Sequence, residues 1–274
     1  MFAMLYVTLA LFGALSGVTT VLFGFGGGFV VVPVLYGVLR ATHGADDPIG
    51  QAAMHIAVAT STCVMIVNSL AATRRHLRAG NLVRAYVWPL AAFIAAGALL
   101  GAWAATRASG ELVRDAFIAY LAVTLLDCLL RQGFMARPQA QAARPLGRGV
   151  VVGGGVVIGV VATFLGVGGS VMTVPLLRRR GLPMAKAAAM ANPLTLPVAL
   201  VGTLAYMAAA RTLPAPLAPW IIGYVDLLAF ATLALGALAG IRLAAPWIPR
   251  IPDRLHARVY VALLALVLLS LVLA

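Results

Sequence analysis

Residues 24–35 read GFGGGFVVVPVL, and residues 166–177, 142 positions later, read GVGGSVMTVPLL. Six of the twelve aligned positions are identical: Gly24/Gly166, Gly26/Gly168, Gly27/Gly169, Val32/Val174, Pro33/Pro175 and Leu35/Leu177. At the same spacing upstream, Gly13 pairs with Gly155, Gly17 with Gly159 and Val18 with Val160. Each phrase interrupts a long apolar stretch, and three or four small residues in five break a helix instead of lining it. A duplicated backbone break inside a hydrophobic chain is the pattern of a transporter whose two halves meet at a substrate site.

Composition puts the chain in a membrane. Apolar residues make up 63% of it and charged ones 10%, against about a quarter charged in a soluble domain. Runs such as 51–72 and 85–106 carry no charge and are long enough, at about 1.5 Å per residue, to reach across roughly 30 Å of hydrocarbon. Residues 4–22 lack a basic stretch ahead of them and read as a retained helix, not a cleaved leader. The net charge of +13 sits in short connections, with Arg74, Arg75, Arg78 and Arg84 in one and Arg178, Arg179, Arg180 and Lys186 in another. That is topology-setting charge on a cytoplasmic face; no aromatic-basic interleaving points to nucleic acid. Cys63 and Cys128 lie in apolar segments without CxxC spacing and read as free thiols, so neither a metal site, a cofactor nor an enzyme is expected.

Apolar segments fall near 4–22, 28–40, 51–72, 84–106, 112–131, 149–165, 170–180, 186–208, 217–241 and 256–274. The fold class expected is an all-α polytopic membrane protein with two repeats of five helical segments: 1–131, a cytoplasmic linker at 132–148, and 149–274. The connections at 73–84, 131–148, 178–186 and 242–258 each hold four Lys/Arg, whereas 40–50, 106–111 and 209–216 hold one each. All four basic connections share one side only if each glycine break turns the chain back, which inverts the second repeat relative to the first. The alternative is eight spans arranged as 4+4. Both a re-entrant hairpin and two full spans over 4–40 give the same loop sidedness.

Unpaired backbone at membrane depth must be buried in protein or face a wet cavity. Gly24, Gly26, Gly27 and Gly28 let a ligand touch the main chain. The helices expected after each break begin near Gly28 and Ser170, with free N–H groups and the positive end of the dipole aimed into the break, which suits an anion. Pro33 and Pro175 lie about a turn further along and weaken the helical ladder. At a spacing of 132, Thr60-Ser61 falls opposite Asn192-Pro193; these polar groups are candidate donors to a substrate oxygen, with Asn68 a further candidate. Gly13, Gly17, Gly155 and Gly159 read as close-packing glycines. Asp226, read as lying mid-helix, and His55 are candidates for proton coupling, whereas Asp127 reads as an ion pair with Arg131. Trp88, Trp220 and Trp247 read as interfacial anchors.

At the paired glycine phrases, followed by AVATS (57–61) and RRHLRAGNL (74–82), the chain resembles the TauE/SafE family of sulfite and organosulfonate permeases over essentially its whole length. The resemblance implies a multi-pass carrier of the bacterial inner membrane that moves small sulfur-containing anions such as sulfite, sulfoacetate or thiosulfate, in the manner of a secondary exporter. It implies a site comprising Gly24, Gly26, Gly27, Gly28 and Pro33 with Gly166, Gly168, Gly169, Ser170 and Pro175, completed by Thr60 and Ser61. Asn192-Pro193 departs from the small hydroxyl pair expected in the second half. The partners expected are a small anionic solute and membrane lipid, with a second copy of the chain an open option; a passive anion channel with the same constriction is the alternative function.

Overall fold

The computed structural model describes residues 2–44, 46–130, 134, 145–209 and 217–273. The 132–148 linker lies outside them apart from Phe134 and 145–148, as do Arg131 and Arg211. Ten helices of ten residues or more occur among the described residues: α1 (Phe2–Phe23), α2 (Gly28–Thr42), α3 (Ala53–Arg78), α4 (Leu90–Ala105), α5 (Gly110–Leu130), α6 (Gly155–Leu165), α7 (Ser170–Arg179), α8 (Met184–Ala208), α9 (Leu227–Ala244) and α10 (Asp253–Leu273). A π-helical turn, Val150–Gly154, leads into α6. Among the described residues, six stretches are long and apolar enough to cross a membrane: Met4–Phe23, Ala53–Arg78, Arg84–Ala105, Met184–Ala208, Leu227–Ile248 and Asp253–Leu273. The 15 residues of α2 and 10 of α7 span only about 22 and 15 Å, short of the roughly 30 Å hydrocarbon thickness.

One expected segment divides. Residues 217–241 do not form a single helix; a two-stranded hairpin pairs Ile221 with Asp226 and Ile222 with Val225, and α9 begins only at Leu227. Gly223 turns the hairpin at a φ of 65°, β-branched Ile221, Ile222 and Val225 favour extended backbone, and the Asp226 carboxylate accepts from the N–H groups of Leu228 and Ala229. Asp226 is therefore the N-cap of α9 and not a mid-helix carboxylate. Asp127 pairs with Arg179 of α7, which ties α5 to α7; Arg131, the partner expected for it, lies outside the described residues.

The centre is built on α3 and α8, which run antiparallel. At one end His55, near the start of α3, packs on the Tyr224 ring at 5.3 Å, and Tyr224 meets Tyr206 near the end of α8. At the other end the Val83 N–H, just beyond α3, donates to Met190 Sδ near the start of α8. This second end also carries Arg74, Arg75, Arg78 and the Arg178–Arg180 run; we refer to it as the basic end.

Around that pair, close helix packing occurs twice in the same form. A Cβ on Gly13 would fall 2.4 Å from Leu233 O, and one on Gly17 would fall 2.1 Å from Ala237 O. Gly236 and Gly240 return the contact against Ala10 O and Ala14 O. In the other half Gly159 meets Ile94 O, while Gly97 and Gly101 meet Val156 O and Val160 O. So α1 lies parallel to α9, and α6 parallel to α4, each hairpin's first helix seated on the fourth helix of the other half. Without Cβ atoms the backbones approach until dispersion and Cα–H···O contacts form along the whole seam.

The basic end is tied by a buried arginine. Arg178 is 3% exposed; its guanidinium donates to Asp253, to Phe134 O and to Leu182 O. Asp253 also accepts from the Met184 N–H at 2.8 Å. Topology charge alone does not describe this residue.

Two outcomes follow. Gly17→Leu and Gly159→Leu force side chains into backbone and are expected to cost at least about 2 kcal/mol each, read as a fall in melting temperature of detergent-purified protein; Gly37→Leu, with nothing within 4 Å, leaves it unchanged. Asp253→Ala removes the carboxylate that pairs with buried Arg178 and is expected to cost about 3 kcal/mol, measured the same way.

Candidate functional site

Residues 24–27 and 166–169, which open the two phrases, are non-helical, and they meet. Gly24, Gly26 and Gly27 take φ values of 77°, 69° and 102°, and Gly166 takes 67°, a region that side chains with a Cβ rarely occupy. These values turn the chain between α1 and α2, and between α6 and α7. A Cβ on Gly28 would lie 2.5 Å from Gly166 O, and one on Gly168 would lie 3.3 Å from Phe25 O. Ser61 Oγ donates to Gly166 O at 2.9 Å, so α3 holds the second break directly.

Thr195 of α8 lies between the two. A Cβ on Gly26 would fall 2.8 Å from Thr195 Cγ2, and one on Gly168 would fall 2.7 Å from Thr195 Oγ1. These two glycines occupy the same place in the repeated phrase, so equivalent points of the two breaks converge on one side chain. Other contacts cross between halves: Gly24 packs against Ala188 O and Ala191 Cβ of α8, while Gly166 packs against Val58 of α3.

The first turns of α2 and α7 have no side-chain cap. Val30 and Val31 N–H groups donate to Gly27 O, and Met172 and Thr173 N–H groups to Gly169 O. The N–H groups of the residues opening each helix are the donors that helix geometry leaves over, and they lie at the positive end of each dipole. Ser170 adds a hydroxyl, placed 3.4 Å from Gly168 O.

Two asparagines flank the first break. Asn68 Nδ2 donates to Ser16 Oγ at 3.0 Å, and that hydroxyl donates to Gly27 O. Asn192 Nδ2 donates to Ala188 O. The amide oxygens of both residues are buried without a hydrogen-bond partner, and a half-turn of either amide exchanges donor for acceptor at that spare position. Pro193 and Pro197 lie inside α8; lacking N–H groups, they remove the helical donors to the carbonyls of residues 189 and 193.

The residues singled out in the sequence therefore divide. Gly24, Gly26, Gly27, Gly28, Gly166, Gly168, Gly169, Ser170, Ser61 and Asn192 form one buried cluster. Thr60 faces away from it: its Oγ1 accepts from the Asp226 N–H at 3.0 Å. His55 Nε2 lies 3.1 Å from Ala108 O, so His55 and Asp226 both belong to the end opposite the basic one. Pro33 and Pro175 lie on the outer sides of α2 and α7, where each lines an apolar groove. One groove, of about 620 Å³, runs between α5, α6 and α7; the other, of about 540 Å³, runs between α10, α1 and α2. Thr195 and Ser16 were not singled out. The available signals were a hydroxyl one turn past Asn192 in a twice-interrupted helix, and a lone serine in apolar α1.

Residues 9–271 match the model of the family described as sulfite exporter TauE/SafE, and the chain belongs to that family. A Haemophilus influenzae protein described as a probable membrane transporter protein is 27% identical over 177 residues, covering 65% of this chain and 64% of that relative's length. No solved structure matches.

If the breaks touch through Thr195, Gly168→Ala should destabilise by about 1–3 kcal/mol, and Thr195→Ala should recover a large part of that loss, because it removes both atoms nearest the new methyl. Melting temperatures of the two single variants and the double variant give the coupling; additive losses would separate the breaks.

Proposed function

We propose that this member of the TauE/SafE family carries small sulfur-containing anions, such as sulfite, thiosulfate or sulfonates of the sulfoacetate kind, across the bacterial inner membrane as a secondary exporter working by alternating access. The observation that carries the reading is the meeting of two uncapped helix N-termini at the buried contact between the glycine breaks. Backbone N–H groups and dipole ends favour negative charge without a bound cation.

The chemistry suits a ligand that must leave again. Among the described residues the buried charged or imidazole side chains are His76, Arg178 and His256, and all three belong to the basic end. An oxyanion between the breaks would be held by amides, the Ser61 and Thr195 hydroxyls and the turned amides of Asn68 and Asn192. Such groups accept any compact tetrahedral or pyramidal oxyanion, and they pose no arginine clamp to hold it.

We further propose that 1–131 and 149–274 are inverted repeats. The antiparallel α3/α8 pair supports this, since those are third helices of their halves, and so do the parallel α1/α9 and α6/α4 seams. Every break residue is buried, which fits an occluded arrangement. The glycine-packed seams would let α1 with α9, and α6 with α4, move as bodies against α3 and α8, opening one break at a time.

Purified protein in liposomes should take up labelled sulfite or sulfonate with saturation and counterflow. Gly169→Leu, at ordinary φ with only Ile158 Cγ2 near, should lower flux at least tenfold while the protein stays folded; Gly27→Leu, at a φ of 102°, should also lose stability. Normal flux in Gly169→Leu would remove the breaks from the pathway, and unsaturable ion currents would make the protein a channel.

A further inference from the structure

The two apolar grooves behind Pro175 and Pro33 are one groove built twice, and they differ in polarity. Along the glycine-break hairpins the repeat spacing of 142 matches Val157 with Leu15, Met172 with Val30, Pro175 with Pro33 and Leu176 with Val34. On the flanking helices, α5 (Gly110–Leu130) and α10 (Asp253–Leu273) start 143 positions apart, which matches Val123 with Leu266. These lining residues are apolar in both grooves. Four other matched lining positions depart from that pattern. Tyr120, Thr124, Asp127 and Arg179 stand where the second groove has Leu263, Val267, Ser270 and Gly37.

The polar positions of the first groove run inward from the basic end. Asp127 and Arg179 sit in the last turns of α5 and α7. Arg179 Nη2 donates to the Asp127 main-chain oxygen at 3.1 Å and to its carboxylate, while the Nε–H of the same guanidinium has no acceptor. Arg148 and Arg180 are the chain neighbours of Gly149 and Arg179, which line the mouth, so three guanidinium groups stand there to one carboxylate. Thr124 and Tyr120 follow at about 4.5 and 10 Å along α5. The walls from α6 and α7 are apolar, and Val123 and Val157 are exposed, so the groove opens sideways to lipid. In the second groove the Ser270 hydroxyl donates to Val267 O, and nothing lies within 4 Å of a Cβ on Gly37.

We propose that the groove between α5, α6 and α7 binds one anionic phospholipid from the leaflet at the basic end, with its phosphate at Arg179 and an acyl chain along α6 and α7. The surplus of guanidinium at the mouth attracts a negative headgroup. A phosphate oxygen supplies the acceptor that Arg179 Nε–H lacks, and headgroup hydroxyls donate to Asp127. The Thr124 and Tyr120 hydroxyls suit the ester oxygens that follow the phosphate, and the apolar walls take the hydrocarbon. An uncharged lipid gains nothing from the mouth. A second copy of the chain in the same orientation would bring its own arginines to the same leaflet, like charge against like. α7 forms one wall and opens at the second glycine break, so the bound lipid braces the hairpin that carries that break. The inference does not depend on which solute the protein carries.

The test places the full chain in phosphatidylcholine nanodiscs with a minor share of phosphatidylglycerol that carries a diazirine on its acyl chain. After irradiation, peptide mapping should find label on Val123, Val157, Met172 and Leu176 at least about fivefold above Leu266, Leu15, Val30 and Val34, as the attraction of a single surface guanidinium would give. High salt should weaken that preference, and phosphatidylcholine with the same diazirine should label both grooves alike. Asp127→Asn combined with Arg179→Gln leaves no charge stranded, and in the folded double variant phosphatidylglycerol labelling should fall to the level of the second groove. Equal labelling of the two grooves in the unmodified chain means ordinary surrounding lipid and overturns the proposal. A groove without label, covered by a second copy or by another part of the chain, overturns it as well, and so does undiminished labelling in the double variant.

Discussion

Hydrocarbon offers nothing to an unpaired N–H or C=O, and every other feature of this protein answers that constraint. Two glycine-rich phrases unwind the chain in mid-course, so their main-chain groups must find partners within the protein. They find them in each other and in the helices of the opposite half: Gly28 abuts Gly166 O, Ser61 donates to the same carbonyl, and Thr195 fills the space between Gly26 and Gly168. The breaks rest on contacts exchanged between the two halves, together with contacts inside each half such as Ser16 donating to Gly27 O.

The same logic governs the helix seams. Between lipid-facing helices there is no hydrophobic gain from leaving lipid, so association rests on close approach of backbones. The glycines of α1 and α9, and of α4 and α6, give that approach over two full turns. They seat α1 on α9, and α6 on α4, backbone to backbone, while Ser61, Asn68, Asn192 and Thr195 lie on α3 and α8. Close-packed edges and spare hydrogen-bonding capacity in the middle would suit the anion carrier proposed above.

Much of this was legible from residues. The repeated phrase located both breaks, and GxxxG spacing identified Gly13, Gly17, Gly155 and Gly159 as packing positions, because small residues at helical period have few other uses in a membrane. The hairpin at 221–226 was not legible: apolar, β-branched residues next to a helix of the same composition give no change of hydropathy, and only Gly223 marks the turn. Asp226 was misplaced for that reason. Thr60 and Ser61 were read as a unit, yet successive helix positions point about 100° apart, and the structure sends one to the Asp226 hairpin and the other to Gly166. Arg178 looked like one of three equivalent arginines; its burial depends on Asp253, 75 residues away, which no local pattern announces.

Thr195 has Cys63 as its counterpart at the spacing that relates α8 to α3. Two identical halves would give a molecule facing inward and one facing outward the same free energy, since exchanging the roles of the halves would reproduce the starting structure. Here the exchange would put a thiol where a hydroxyl now touches both glycine bends. On the inverted-repeat, alternating-access reading proposed above, the two orientations would therefore differ in energy, and Thr195/Cys63 is one of many non-matching pairs that would give the empty carrier a preferred resting face.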